Sequence, residues 1–170
     1  LYLNIWTPAE TEHDLLPVMF FIHGGGYKSG YSHEITFDGD ALARQGVLLV
    51  TIEYRLGSFG YLAHKELQNE NGCSGNYGLL DQIYALKWVR RNIRAFGGDP
   101  DKITIFGQSA GAMSVENLVV SPLSKGDMAR AIMQSAGGYT GLRSCGIKMR
   151  TQAEAEELGA EFLSFLGCTC

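Results

Sequence analysis

The residue best suited to covalent chemistry in this sequence is Ser109, at the centre of Gly107-Gln108-Ser109-Ala110-Gly111. A serine hydroxyl attacks acyl groups when the backbone holds it clear of the protein and a base activates it. In the pattern Gly-x-Ser-x-Gly the serine lies on a sharp turn from a strand into a helix, where we expect a positive φ. The flanking glycines fit where a Cβ would collide with the opposing backbone. The pentapeptide therefore predicts a nucleophile elbow.

A second serine provides an internal comparison. Met133-Gln134-Ser135-Ala136-Gly137 also follows an apolar run and carries Ser-Ala-Gly, but Met133 stands where the tight turn needs glycine. A pentapeptide of this kind alone also fits an ordinary turn before a helix, so the apolar residues 103–106 ahead of Ser109 favour that serine. We expect Ser135 to be a turn residue or a hydroxyl that supports the site.

A glycine triplet supplies the second part of the predicted site. His23-Gly24-Gly25-Gly26 directly follows the apolar residues 18–22. Acyl transfer needs amide donors directed at the developing oxyanion, and glycine lets the backbone approach that closely. We assign the amides of Gly25 and Gly26 as donors, with the amide of Ala110 at the start of the predicted helix as the third.

Two other interpretations of this loop fail on their key residues. A phosphate-binding loop needs Gly-Lys-Ser/Thr, whereas Tyr27 precedes Lys28-Ser29. A metal site at His23 and His33 lacks the His-Glu-x-x-His pattern, and a lone histidine before a glycine loop is usually structural. We therefore expect neither a phosphate-binding loop nor a metal site here, and we expect His23 to tether the loop through its ring nitrogens.

The elements that would position these motifs alternate between strands and helices. Apolar and alternating patterns predict strands over residues 1–6, 17–22, 47–53, 102–106 and 131–134. Helical patterns, caps and stop signals predict helices over residues 40–44, 110–120 and 151–165, and one from Asn76 to the Gly97-Gly98 stop. Residues 54–75 read as a long surface loop, and Asp99-Pro100 as a turn. This rhythm predicts an α/β fold with a mostly parallel sheet flanked by helices.

Composition excludes several classes of protein. The 170 residues allow one domain or most of one, and the net charge of -4 gives no basic face for nucleic acid. No apolar run approaches the roughly 20 residues of a membrane span.

Because residue 1 is leucine, we expect the chain to begin inside a longer protein. The absence of an Asn-x-Ser/Thr sequon and of a signal-peptide pattern favours the cytoplasm. Four sparse cysteines, expected as free thiols, agree with that location: Cys73, Cys145, Cys168 and Cys170.

Taken together, the motifs resemble the type-B carboxylesterase and cholinesterase-like family of the α/β-hydrolase fold. Residues 96–111 match the family's serine signature throughout, and Leu1-Tyr2-Leu3-Asn4-Ile5-Trp6-Thr7-Pro8 is similar to its N-terminal signature. Residues 54–57, 76–82 and 134–137 also resemble family segments. The resemblance covers most of residues 1–140 and fades toward the C-terminus.

The resemblance implies hydrolysis of a small-molecule carboxylic ester through a Ser-Glu-His triad and an acyl-enzyme intermediate, without a cofactor. It implies Ser109 as the nucleophile, with Gly25, Gly26 and Ala110 as the oxyanion hole. Arg55 and Asp81 correspond to the family's buried structural ion pair. Gln108 stands where many family members carry a glutamate, so a preference for cationic substrates is not supported. A general esterase is therefore expected ahead of a cholinesterase.

One departure from the family bears on the mechanism. In this fold the triad runs in the order serine, acid, histidine, but all four histidines precede Ser109, namely His13, His23, His33 and His64. We therefore expect the acid and the histidine beyond residue 170, with residues 1–170 as the first portion of a larger hydrolase domain. Loss of a triad member costs roughly 10⁴-fold or more in kcat, so this portion alone should be inactive. The alternatives are a catalytically inactive, cholinesterase-like interaction protein and an inactive fragment; the oligomeric state stays open.

Overall fold

A computed structural model of the chain describes residues 1–68, 72–136 and 150–168. The strands in this part of the chain are β1 (Leu3–Trp6), β2 (Leu16–Ile22), β3 (Leu48–Ile52), β4 (Gly98–Gln108) and β5 (Arg130–Gln134). The helices in it are α1 (Asp40–Ala43), α2 (Gly57–Tyr61), α3 (Tyr77–Asn92), α4 (Ala110–Val120) and α5 (Gln152–Phe165). Cys145, Cys170 and Gly137 lie outside the described residues.

The strands form one sheet in the order β1-β3-β2-β4-β5. β1 is antiparallel to β3, and the other three pairings are parallel, which confirms the predicted α/β class with a mostly parallel sheet. In register, Ile22 lies opposite Gly107, and Gly107 lies opposite Met133. Parallel strands end at the same edge of a sheet, the usual place for a site in such folds. The residues that follow β2, β4 and β5 therefore emerge side by side.

The core lies around the central strands, as their continuous apolar patterns predict. All five residues of β3 are buried, and β2 ends in three buried residues. Such strands are covered on both faces, as is typical of parallel sheets. Helix α3 contributes Ile83, Leu86 and Val89 to the core, and α4 contributes Val115 and Leu118. This packing holds the ends of β2 and β4 rigidly beside each other.

Several predicted boundaries hold, and three predictions about these elements are wrong. Helix α4 has the predicted bounds, and the Thr151–Glu154 capping box opens α5. The stretch 54–75 is not simply a loop, because α2 and a 3-10 turn at Lys65–Leu67 lie within it. Its glycines allow close packing: a Cβ at Gly60 would collide with the Arg55 carbonyl.

The second wrong prediction concerns Asp99 and Pro100, which lie inside β4 rather than in a turn. Proline cannot donate a ladder hydrogen bond, so a strand accommodates it at an edge or an irregularity. The pairing of β2 with β4 shifts register between Leu16 and Val18, which provides such an irregularity.

Helix α3 begins directly after Asn76, as predicted, but Asn76 makes no side-chain cap and adopts a left-handed conformation with φ of 55°. Within the described residues, no helix has both the length and the apolar character that crossing a membrane requires.

Candidate active site

Ser109 has a φ of 55° and a ψ of -121° at the junction of β4 and α4, so the predicted positive φ is confirmed. The glycines on either side are needed for close approach. A Cβ at Gly107 would lie 2.5 Å from the Gly111 carbonyl carbon, and a Cβ at Gly111 would collide with the Ile22 carbonyl oxygen. The strand, the turn and the helix therefore fold tightly against the end of β2. A non-glycine residue in this conformation is strained and signals function.

The glycine triplet lies directly against this turn. A Cβ at Gly24 would lie 2.8 Å from the Gln108 carbonyl oxygen and 3.3 Å from the Ser109 Cβ. The sequence assigned roles to Gly25 and Gly26 but gave none to Gly24. In the structure, Gly24 is the residue at which the loop packs against Ser109. The sequence signal that could have identified it is its position as the first glycine after the strand.

The rest of the loop closes on the Gly25 carbonyl. The amides of Lys28 and Ser29 each donate to the Gly25 oxygen at 3.1 Å. Gly25 and Gly26 have φ of 105° and 63°, a region that L side chains rarely adopt. Nothing lies within 4 Å of a Cβ built on Gly26, so that residue borders open space beside the site.

The start of α4 brings a further amide to the same place. The Ser109 amide donates to the Gln134 carbonyl at 2.9 Å, so it is already used. Ala110 opens α4 and is 2% exposed. The first amides of a helix have no intrahelical acceptor, and the helix dipole makes that end attractive to negative charge. This arrangement suits an oxyanion next to Ser109.

Ser135 has the same positive φ as Ser109, at the end of the neighbouring strand. It follows β5 and has a φ of 55°, although Met133 replaces the glycine of the elbow. A glycine two residues before the serine is therefore not needed for the positive φ. Gly107 is needed for another reason, because the backbone of Gly111 lies too close to leave room for a side chain. Gln134, the residue before Ser135, accepts the Ser109 amide and so links the two turns.

His23 is 1% exposed and tethers the loop through one ring nitrogen rather than two. Its Nδ1 lies 2.8 Å from the Gly24 oxygen, and its Nε2 has no hydrogen-bond partner among the described residues. The nearest carboxylate to that nitrogen belongs to Glu53, with 3.9 Å between Nε2 and Oε2. Sequence reasoning did not single out Glu53. Gln108 is exposed beside the loop, its Oε1 3.1 Å from a Cβ built on Gly24.

Tyr54 fixes the backbone on the other side of His23. Its ring stacks on the imidazole with centroids 4.5 Å apart, and its hydroxyl donates to the His23 oxygen at 2.8 Å. Burial raises the pKa of the Tyr54 phenol, with the nearby Tyr27 and Glu53 as further causes. The hydroxyl therefore stays protonated and remains a donor at all physiological pH values.

Arg55 and Asp81 form a bidentate ion pair. Arg55 Nε and Nη2 each donate to the Asp81 carboxylate at 2.8 Å, and the Arg55 amide donates to it at 3.0 Å. The Asp81 side chain is 5% exposed and that of Arg55 is 47% exposed, so only the carboxylate half of the pair is buried. Hydrogen bonding to Asp81 raises the pKa of Arg55. The pair joins the residues after β3 to α3 and lies outside the elbow.

None of the four histidines of the described chain has a hydrogen bond or ion pair to Ser109. His13 lies near Glu12, His33 near Tyr2 and Glu53, and His64 accepts from the Glu66 amide. Within residues 1–68, 72–136 and 150–168, no group of three or more histidine, cysteine, aspartate or glutamate side chains is placed to hold a metal ion. The site thus contains a positioned serine and amide donors, without a base from these residues.

The sequence of this chain is similar to those of known esterases. The model of the carboxylesterase family matches residues 1–169. A para-nitrobenzyl esterase of Bacillus subtilis (strain 168) is 48% identical over 168 residues, which make up 98% of this chain and 32% of that protein. Fumonisin B1 esterase of Sphingopyxis macrogoltabida is 48% identical over 163 residues, 95% of this chain and 30% of its own length.

Solved structures agree with the sequence comparisons. The crystal structure of a Geobacillus stearothermophilus carboxylesterase matches with a TM-score of 0.86 and 42% identity, covering 99% of this chain and 35% of its own. The structure of a thermophilic para-nitrobenzyl esterase matches with a TM-score of 0.83 and 42% identity. The match covers 99% of this chain and 32% of that esterase chain. The chain spans about a third of the length of the relatives it matches.

Proposed function

Because the chain belongs to the carboxylesterase family, we propose that the protein containing it hydrolyses small-molecule carboxylic esters with Ser109 as the nucleophile. The observation that carries the proposal is the positive φ of Ser109 on a strand-to-helix turn, with the glycine loop packed against it. A serine on such a strand-to-helix turn presents its hydroxyl above the sheet edge, where an ester can reach it. The family resemblance supports the reaction class, and the geometry supports the residue.

In the proposed reaction, the Ser109 Oγ attacks the ester carbonyl carbon as its proton passes to a base. The electron pair of the carbonyl moves onto its oxygen, which the amides of Gly25, Gly26 and Ala110 hold as an oxyanion. Collapse of this intermediate expels the alcohol, which takes the proton from the base, and leaves an acyl-enzyme. Water then attacks the acyl carbon as the same base takes its proton, and collapse of the second intermediate breaks the bond to Ser109 Oγ, which takes the proton back from the base and releases the acid. One oxyanion donor typically stabilises such a transition state by about 3 to 4 kcal/mol.

We propose that the base and its acid partner come from outside these 170 residues. All four histidines precede Ser109, whereas the triad of this fold places its histidine last in the chain. The relatives are about three times as long as this chain, which leaves ample sequence for both residues. Residues 1–170 then form the portion of a hydrolase domain that carries the nucleophile and the oxyanion loop.

A fluorophosphonate probe tests the nucleophile, because it bonds covalently to an activated serine. We expect the full-length protein to be labelled, Ser109→Ala to lose both labelling and turnover of a small aryl ester, and Ser135→Ala to keep both. Ser135 is a matched control, since it has the same φ and follows the neighbouring strand. Labelling that survives Ser109→Ala would refute the assignment. A full-length protein that neither reacts nor turns over esters would instead favour the inactive interaction protein.

A further inference from the structure

A carboxylate lies beside the two residues that flank the glycine loop. Glu53 directly follows β3, and its side chain is 15% exposed. Its Oε1 accepts the Ser32 amide at 2.6 Å, a short, charge-assisted hydrogen bond. Its Oε2 faces the buried Nε2 of His23 at 3.9 Å. One side chain therefore contacts the residues at both ends of the glycine loop, residues 24–31.

The loop itself folds back onto the same histidine. Gly30 has a φ of 112°, and a Cβ there would lie 2.6 Å from the His23 Nδ1 and 2.8 Å from the Gly24 oxygen. The imidazole is therefore enclosed by Gly24, Gly30 and Tyr54, with Glu53 beyond its outer nitrogen. A shift of the ring would shift the backbone of the loop.

We propose that Glu53 is a positioning residue for the oxyanion loop: its carboxylate fixes Ser32 at one end and the His23 ring at the other. This inference rests on the function proposed above. Among the described residues Glu53 has no hydrogen bond or ion pair to Ser109. It acts through His23, whose neighbour Gly24 packs against the elbow and is followed by Gly25 and Gly26, the proposed oxyanion donors.

The chemistry of the imidazole explains why a charge is needed at this place. When Nδ1–H donates to the Gly24 oxygen, Nε2 remains inside the protein without a hydrogen-bond partner among the described residues. A buried polar atom without a partner is costly. A carboxylate attracts Nε2 only when that nitrogen carries a hydrogen, and in the imidazolium form, with a hydrogen on both nitrogens, Nδ1–H donates to the Gly24 oxygen while Nε2–H faces the Glu53 charge 3.9 Å away. The other polar groups around the carboxylate are the His33 Nδ1, at 3.7 Å, and Tyr2, whose hydroxyl lies 3.3 Å from that nitrogen.

Glu53→Gln in the full-length protein tests the proposal. It keeps the size of the side chain and an oxygen acceptor for the Ser32 amide, and it removes the charge that faces His23. We expect kcat to fall about tenfold while KM changes less than about twofold, because misplaced oxyanion donors weaken binding of the transition state and not of the ester. Glu53→Asp, which keeps the charge, should recover part of the loss.

Two controls separate positioning from a loss of folding. Rates are expressed per active site titrated with the fluorophosphonate, so an unfolded fraction does not lower kcat. Glu34→Gln removes a carboxylate close in sequence to the loop, one that makes no capping hydrogen bond. We expect kcat of that variant to match the wild-type value.

A double-mutant cycle with His23→Gln tests whether Glu53 acts through the histidine. If it does, the two substitutions together should lower kcat little more than His23→Gln alone. Wild-type kcat per titrated site in Glu53→Gln, or effects that simply add, would overturn the inference. Ser109→Ala separates a failure of the proposed function from a failure of the Glu53 inference. Activity that survives Ser109→Ala refutes the proposed function. If Ser109→Ala is inactive and Glu53→Gln is fully active, only the role of Glu53 is refuted.

Discussion

At the scale of single residues, Ser109 and Ser135 share a φ of 55° and differ in what approaches them. Ser109 has Gly24 packed against it, and Gly107 and Gly111 close the turn onto β2. Met133, the counterpart of Gly107 beside Ser135, is 44% exposed. A strained serine alone therefore does not define the candidate site. The glycine loop packed against Ser109 distinguishes it from Ser135, and glycine permits that approach.

Gly24→Ala tests this close approach. The added methyl group would lie 2.8 Å from the Gln108 carbonyl oxygen, so the loop must move away from Ser109. Loss of one oxyanion donor costs about 10²- to 10³-fold in kcat, and we expect a reduction of that order for the full-length protein. Steady-state kinetics with an aryl ester measures it. Gly46→Ala controls for strain away from the site, because its φ of 80° disfavours a side chain although nothing lies within 4 Å of the added Cβ. Equal losses of kcat in both variants would contradict the prediction.

At the scale of elements, a buried carboxylate attaches α5 to the residues after α2. Glu156 accepts hydrogen bonds from Gln152, Gln68 and Ser74 at 2.9, 3.1 and 2.8 Å. A Cβ at Gly159 would collide with the Ala63 carbonyl, so the helix also lies close to that backbone. The helix is thus positioned by polar contacts as well as by its capping box.

These contacts predict a pH-dependent contribution to stability. The hydrogen bonds from Gln152, Gln68 and Ser74 lower the pKa of Glu156. A carboxyl whose pKa is lower in the folded state stabilises that state above its unfolded pKa, about 4.3, and the contribution is lost as pH falls through the folded value. We expect Glu156→Gln to lower the Tm of the full-length protein at pH 7, with the difference shrinking below about pH 4.

Thermal unfolding of the two proteins across pH 3 to 7 provides the measurement. Glu157→Gln serves as the control, because Glu157 is exposed on the same helix and should leave the Tm near the wild-type value. A Tm difference for Glu156→Gln that is independent of pH would show that the carboxylate charge has no part in holding α5.

The elements that the sequence predicted correctly are those specified by neighbours along the chain. The bounds of α4 and the cap of α5 depend on local signals, the elbow turn and the Thr151–Glu154 box. The predictions that failed include one that depends on a distant contact. Asp99 and Pro100 were interpreted as a turn, but the pairing of Gly98 with Leu16 extends β4 through them. Glu53 gave no local signal either, since its partners Ser32 and His23 lie 21 and 30 residues earlier.

At the scale of the whole molecule, the sheet is well covered at its centre and open at β5. Among the described residues β5 is the last strand in the order, and four of its five residues are exposed. Large apolar side chains are exposed on this strand and on two helices: Val120, Ile132, Met133, Phe162 and Phe165. An exposed strand edge beside apolar surface favours association and weakens cooperative folding.

The open edge leads to a prediction about residues 1–170 expressed alone. Because β5 and these apolar side chains lack cover within the described residues, the isolated polypeptide should bind the dye ANS and unfold over a broad temperature range. The full-length protein should bind little dye and unfold sharply, since the relatives are about three times as long as this chain and have further sequence to cover such an edge. Circular dichroism and tryptophan fluorescence, recorded during the same thermal scan, provide the comparison. A single sharp transition of the isolated polypeptide, coincident by both probes, would contradict the prediction, because coincident transitions indicate two-state folding. It would mean that the buried strands β2 and β3, with α3 and α4, suffice as an independent core.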